Sequence, residues 1–289
     1  MKRQKLIGSV CGILAAVCYG TNPLGAINLY HEGMATGPVL FYRFGLAWVI
    51  IAAVMALRHE SVKVTTKEFM ALSALGLLFT FSSLTLYVSF TMMAAGVAST
   101  ILFTYPVMTA VIMATVFKER LTWQTVVALV LSLAGVVTLY WSDDKATLPI
   151  WGVILVLVSA LTYALYIIVV DRSHLHMSSF KINFYVLFYC ALGMVIFSTL
   201  SGQTLMLPPS GRAWFFVGWL AIVPAIMALS LMVYSAKYIG STATAIIGAL
   251  EPLTAVAIGL CLFGEHFSLR LVAGIILILA AVVLTVLKR

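Results

Sequence analysis

The chain has 289 residues, of which 63% are hydrophobic and only 9% charged, with a mean hydropathy of +1.12. Soluble domains are about 45–50% apolar and about 25% charged, so this composition cannot cover a water-facing surface and excludes a soluble globular protein. The formal net charge of +8 does not mark a nucleic-acid binder either, because the basic residues lie between apolar runs, not in a patch interleaved with exposed aromatics.

A bilayer span needs about 20 mainly apolar residues, and ten such runs follow one another. They are continuously apolar, which predicts helices; barrel strands would alternate every second residue over about 10 residues. The first, α1 (6–29), follows Met1-Lys2-Arg3-Gln4-Lys5. That start suits a signal peptide, but the run continues to Leu29 and more spans follow, so it is read as an uncleaved first helix. α1 contains Gly8-x3-Gly12, a spacing for close helix contact, and then Tyr19, Thr21, Asn22 and Pro23. α2 (37–57) carries Arg43, α3 (69–93) carries Tyr87, and α4 (95–117) carries Tyr105-Pro106. α5 (122–141) ends at Trp141, and α6 (149–170) holds Trp151, Tyr163 and Tyr166. α7 (180–200) holds Tyr185 and Tyr189, α8 (212–236) holds Trp214 and Pro224, α9 (241–263) holds Glu251-Pro252, and α10 (268–287) closes the chain. Trp141, Trp151 and Trp214 stand at span ends, as interfacial anchors do. The longest connections, near 58–67 and 201–211, are too short for a soluble domain.

With the N-terminus inside, only Lys145, Arg212 and Arg270 fall outside, while every other Lys and Arg except the intramembrane Arg43 falls inside. That is the bias of the positive-inside rule. It predicts a multi-pass protein of the plasma membrane with both termini cytoplasmic, and an odd number of spans would spoil it.

The chain also matches itself at a shift of 146 residues. Pro106 falls on Pro252, Phe117 on Phe263 and Glu119 on Glu265 without a gap, and Ala95–Ser99 resembles Ile239–Ala243 after a two-residue shift. The expected domains are repeats 1–145 and 146–289 within one membrane domain. Five helices per repeat is an odd number, so the halves enter the membrane from opposite sides. Inverted repeats of this kind are a hallmark of secondary transporters, whose substrate site lies near the midplane where the halves meet. The predicted fold class is therefore an all-α integral membrane protein, ten transmembrane helices in two inverted five-helix repeats.

Three segments resemble a known family. Gly12 through Pro23 contains an aromatic-Gly pair, Tyr19-Gly20, followed by a small residue and Asn22. Tyr105-Pro106 leads to Lys118-Glu119-Arg120-Leu121-Thr122, and Leu250-Glu251-Pro252-Leu253 leads to Leu262-Phe263-Gly264-Glu265. In order and spacing the chain resembles the EamA-type members of the drug/metabolite transporter superfamily. Tyr19 stands where that family often has Trp, and His266-Phe267 replaces its usual basic-aliphatic pair. The resemblance implies a secondary transporter, often an exporter, of small organic metabolites such as amino acids.

Only Arg43 and Glu251 are charged and clearly within spans. A charge at the bilayer centre costs at least about 2.5–3.5 kcal/mol, so such residues face a cavity or a partner. At 1.5 Å per residue Arg43 lies about 9 Å deep from one side and Glu251 about 15 Å from the other, within reach of each other. Two readings stay open. In one the pair is structural, the two bonding each other or backbone carbonyls; in the other Arg43 receives a substrate carboxylate while Glu251 receives an ammonium group or a proton. Tyr19, Asn22, Tyr87, Tyr105 and Tyr163 are further candidates for substrate binding or coupling, since a mid-membrane hydroxyl needs a polar partner; for Asn22 with Thr21, helix packing is the competing role. Pro23, Pro106, Pro224 and Pro252 remove helical donors and free the carbonyls of Tyr19, Leu102, Leu220 and Gly248, as hinges or static kinks.

Other classes have less support. There is no Gly-x4-Gly-Lys-Ser/Thr for ATP. Cys11, Cys18, Cys190 and Cys261 lack the paired spacing of a zinc site or disulfide framework, and His174, His176 and Asp171 are poorly spaced for a metal and read as a solvated loop. No enzyme activity, cofactor or metal is expected. The expected partners are the lipid bilayer, a small-molecule substrate and protons as a coupling ion, with the chain a monomer or homodimer. The competing functions are a scaffold without solute flux and a transporter of nucleoside- or drug-like organic cations.

Overall fold

The computed structural model describes residues 2–93, 95–140, 149–173, 175, 177–262 and 269–287. Among these residues the secondary structure is helical without strands, and the helices group into ten spans. α1 runs in two pieces, Lys2–Gly20 and Asn22–His31, followed by α2 (Thr36–Leu57) and α3 (Thr66–Ser89). α4 is also divided, Ala95–Leu102 and Tyr105–Thr115, and α5 is Trp123–Tyr140. The second half begins with α6 (Ile150–Arg172) and α7 (Ser179–Leu200). α8 comprises Gly211–Leu220, a π-helical stretch Ala221–Met227, and Ala228–Ile239; α9 comprises Ser241–Ile247 and Leu250–Leu262; α10 is Leu269–Leu287. Among the described residues, six spans (α1, α2, α3, α6, α7 and α8) are each long and apolar enough to cross a membrane. The protein is an all-α integral membrane protein.

The helix contacts follow an inverted two-fold. α5 packs on α10, α2 on α7, α1 on the last part of α8, and α3 on α6. If α1–α5 correspond to α6–α10, the α2–α7 and α5–α10 contacts map onto themselves and α1–α8 maps onto α6–α3. Two five-helix halves related by an axis in the membrane plane produce this pattern. Small and hydroxyl residues let the helices approach. In α1, Gly8 and Gly12 lie against Tyr238, Ile239 and Ser235 of α8. Between α3 and α6, Ser159 Oγ donates to the Ser82 carbonyl at 2.8 Å and Ser82 Oγ to the Ser159 carbonyl at 3.2 Å.

The sequence reads α1, α4 and α9 as continuous, and each is interrupted. In α1 the interruption falls at Thr21, whose amide and hydroxyl both turn back to the Cys18 carbonyl, at 3.3 and 2.7 Å. Pro23 then opens the second piece, where its missing N–H costs nothing. Pro224 sits inside the π-helical stretch, an irregularity that absorbs the missing donor. Gly248 was expected to have a freed carbonyl; instead it accepts from the Glu251 amide at 2.9 Å. The carbonyl that loses its regular donor is that of Ala245, because the Ala249 amide turns to Ile246 at 3.1 Å.

The helix ends at the N-terminal face are tied together. Thr65 and Glu68 form a capping box on α3, and Tyr185 Oη donates to the Val62 carbonyl at 2.5 Å, pinning the 58–65 connection to α7. Asp171 is not a solvated loop residue: it ends α6 and accepts from the Ser241 amide and hydroxyl, at 3.0 and 2.9 Å, at the start of α9. Beside it Arg172 pairs with Glu119 at 3.2 Å. His174, His176, Trp141 and Glu265 lie outside the described residues.

Candidate functional site

Arg43 is buried in the first turns of α2, 2% exposed. Its Nη1 donates to Tyr87 Oη at 2.6 Å, and Tyr87 Oη donates to Asn22 Oδ1 at 3.3 Å, so one chain of bonds links α2, α3 and the start of α1's second piece. The guanidinium carbon stands 4.9 Å from the Phe44 ring centroid and 5.5 Å from that of Tyr87. Aromatic faces stabilise a desolvated cation in this way. They do not neutralise it. Among the described residues Arg43 forms no ion pair, and its Nε has no hydrogen-bond partner.

Glu251 belongs to the opposite repeat, in the first turn after the interruption of α9. Its position depends on close approach by α1: a Cβ on Gly20 would meet the Glu251 carbonyl oxygen at 2.5 Å, so only glycine lets the helices lie this near. Among the described residues the Glu251 carboxyl makes no hydrogen bond or ion pair. Arg43 and Glu251 are not in contact; both line one cavity.

That cavity holds about 420 Å³ of space between atoms, counted to its mouth. α1 contributes Tyr19 and Asn22, α3 contributes Phe79, Ser82, Ser83, Leu86 and Tyr87, α4 contributes Leu102, and α6 contributes Tyr163. Four aromatic rings, Tyr19, Phe79, Tyr87 and Tyr163, stand in the walls. Tyr163 meets Tyr19 edge-on at 6.4 Å and Tyr105 at 4.9 Å between centroids, and Phe79 packs on Tyr163 at 6.4 Å. The Tyr19 hydroxyl is buried without a hydrogen-bond partner. A smaller space of about 330 Å³ lies among the interruptions of α1, α4 and α9, bounded by Gly20, Pro23, Phe103, Tyr105, Glu251 and Pro252.

The structure therefore gathers Arg43, Glu251, Tyr19, Asn22, Tyr87 and Tyr163 around one cavity. Tyr105 stands behind it, its hydroxyl donating to the Ala245 carbonyl at 3.2 Å. Pro23 and Pro252 border the smaller space, Pro106 is buried beside Tyr105, and Pro224 lies in α8 away from these linings. Tyr185 and Tyr189 lie outside this lining: Tyr185 holds the 58–65 connection, and Tyr189 joins α7 to α3 through a 2.6 Å hydrogen bond with Ser73. Sequence reasoning missed Phe79, Ser82, Ser83, Leu86 and Leu102. Only the adjacent hydroxyls Ser82-Ser83 in an apolar run carried a signal. Among the described residues no three of His, Cys, Asp and Glu converge as metal ligands.

The arrangement offers a confined cation and a confined carboxyl, from different repeats, across an aromatic space. A family model described as the EamA-like transporter family matches residues 6–141 and again 150–287. A curated relative from Archaeoglobus fulgidus, named an uncharacterized transporter, is 27% identical over 166 residues, which are 57% of this chain and 58% of that protein. The match thus spans less than two thirds of that relative's length. A solved structure described only as the crystal structure of a protein superposes with a TM-score of 0.76 at 17% identity, over 97% of this chain and 96% of that one. At that identity the likeness is one of fold alone.

Proposed function

This chain belongs to the EamA-like transporter family, and we propose that it is a secondary transporter that exports small organic metabolites of the amino-acid type by alternating access between its two repeats. The observation that supports this reading is the pair of uncompensated groups in one cavity, Arg43 from the first repeat and Glu251 from the second. A buried charge without a partner is costly, and a zwitterion supplies both missing partners: its carboxylate to Arg43, which can bind it through two N–H groups, and its ammonium to Glu251. Asn22 and Tyr87 orient Arg43, and the aromatic walls take the side chain. Because the groups come from different repeats, occupancy joins the two halves. The interruptions beside Pro23, Pro106 and Pro252 are the points where the helices can bend.

The first experiment is thermal stability of the purified protein against amino acids, nucleosides and organic cations at two pH values, since a ligand that binds the folded state raises the midpoint by mass action. Amino acids are expected to shift it selectively, and Arg43→Ala and Glu251→Gln to abolish the shift. In vesicles each variant should lower flux by about ten-fold or more, the worth of one hydrogen bond to a charged group. Undiminished flux in a folded variant removes that residue from the site. The tyrosines around Glu251 also suit an organic cation, and a shift by cations that survives Arg43→Ala would replace the zwitterion with that class. Flux driven by a proton gradient in the parent but not in Glu251→Gln is the expected sign of coupling. Absence of saturable flux for the whole panel would favour a scaffold.

A further inference from the structure

A second cavity continues from the first along α1. The wide cavity touches α1 at Tyr19 and Asn22. The other is a narrow space of about 280 Å³ between atoms, counted to its mouth; it touches α1 at Gly12, Ala16 and Tyr19 and is bounded by Tyr105, Met232 and Thr244. Within the first piece of α1 the helix rises about 10 Å from Gly12 to Tyr19, so the second cavity lies nearer the membrane face that carries the N-terminus than the first. The side chains common to both are Tyr19, Tyr163 and Glu251.

Tyr19 and Tyr163 are also related by the repeat. They stand in Ala16-Val17-Cys18-Tyr19-Gly20 of α1 and Ala160-Leu161-Thr162-Tyr163-Ala164 of α6, the same Ala-x-x-Tyr-small pattern in corresponding helices. An axis in the membrane plane places such mates at the same depth on either side of it. Their rings meet edge-on, 87° between planes, and both residues line the two spaces.

We propose that Tyr19 and Tyr163 form a two-leaved partition between two solute stations, and that Glu251 is an anchor reachable from both. The proposal rests on the transport reading above and adds a path to it. A solute held by its cationic group at Glu251 keeps that contact while the rest of the molecule passes the rings, leaving the station that contains Arg43 for the narrower one beside Ala16. Selection then depends on the partition as well as on the charges: flat or slender groups pass the rings, and bulky branched ones stop.

The test needs no substrate. In a chain with Cys11, Cys18, Cys190 and Cys261 replaced by alanine, a single cysteine is placed in the wide cavity, Ser83→Cys, or in the second, Ala16→Cys. Vesicles of known orientation are treated from one side or the other with a membrane-impermeant, charged methanethiosulfonate. With the partition intact the two positions should prefer opposite sides by about ten-fold, since a minor open state is populated to about 10% or less. Tyr19→Ala should erase the preference at both positions, Tyr163→Ala should do the same, and Tyr19→Phe should keep it. The proposal is overturned if Ser83→Cys and Ala16→Cys react from the same side in the parent, a result that stands even if the alanine variants fail to fold. It is equally overturned if a folded Tyr19→Ala or Tyr163→Ala keeps the parent's sidedness. Opposite sidedness without flux of any solute would reject the transport reading and leave the partition standing. Flux with equal labelling would do the reverse.

Discussion

α4 and α9 hold equivalent places in the two repeats. Both are interrupted just before a proline, at Phe103–Thr104 ahead of Pro106 and at Gly248–Ala249 ahead of Pro252. The residue immediately before the proline differs. In α4 it is Tyr105, whose hydroxyl is committed to the Ala245 carbonyl of α9. In α9 it is Glu251, which makes no side-chain bond among the described residues and borders all three cavities. Duplication thus preserved a backbone device, a broken helix at the centre, and let its chemistry diverge. One copy became a structural plug for its mate's broken backbone, and the other became an unpaired carboxyl facing the space between the repeats.

The most severe way to break this comparison is to exchange the two residues, Tyr105→Glu with Glu251→Tyr. If the division of labour is real, the exchanged chain loses the donor to Ala245 and takes the carboxyl away from the lining of the cavity that holds Arg43. Flux should fall to that of empty vesicles even where the protein still purifies as a single species. Flux near that of the parent would mean that the repeats are interchangeable at this position and that Glu251 acts through its chemistry alone.

The shared plan was visible in the sequence because it is local and chemical. A proline leaves the same mark wherever it stands, so the spacing of Pro106 and Pro252 with their glutamates revealed the duplication, and lone charges in apolar runs revealed Arg43 and Glu251. The partners of those charges were harder to read. Spans that are apolar on every side carry no stripe to tell which face meets the cavity, so nothing in the sequence set Phe79, Leu86 and the Leu102 side chain apart from their neighbours. The bond from Arg43 to Tyr87, and on to Asn22, depends on how α2 and α3 are rotated, which no spacing within either helix encodes. The commitment of Tyr105 to Ala245 follows from the exact place where α9 breaks, and the proline marks that place only to within a turn.

A smaller effect is expected at Gly248, where the committed tyrosine constrains its partner helix. A Cβ at this position would fall on Tyr105 Oη, so Gly248→Ala must displace either the ring or the helix. Overpacking of this kind costs about 1–3 kcal/mol, read as a lower thermal midpoint. Adding Tyr105→Ala removes the obstacle, and the double variant should be less destabilised than the sum of the two single changes. Additive losses would show that Gly248 and Tyr105 are not in contact during the transition that limits stability, and would separate the two interruptions.

The gentlest change is Tyr105→Phe, which deletes only the hydroxyl. The Ala245 carbonyl then loses its donor, but the ring still fills its place against Phe103 at 5.5 Å and Tyr163 at 4.9 Å. Hydrogen bonds between membrane helices average about 0.6 kcal/mol, so the thermal midpoint should drop slightly. Flux should stay close to the parent's, because the hydroxyl holds the Ala245 carbonyl while the ring that borders the second cavity stays in place. Glu251→Gln makes an equally small change in shape one repeat away and is expected to lower flux by about ten-fold. The contrast between two single-atom changes at equivalent positions is the sharpest form of the comparison. A loss of flux in Tyr105→Phe as large as in Glu251→Gln would place the hydroxyl among the groups that handle the solute, and the first repeat would then hold a working residue in place of a plug.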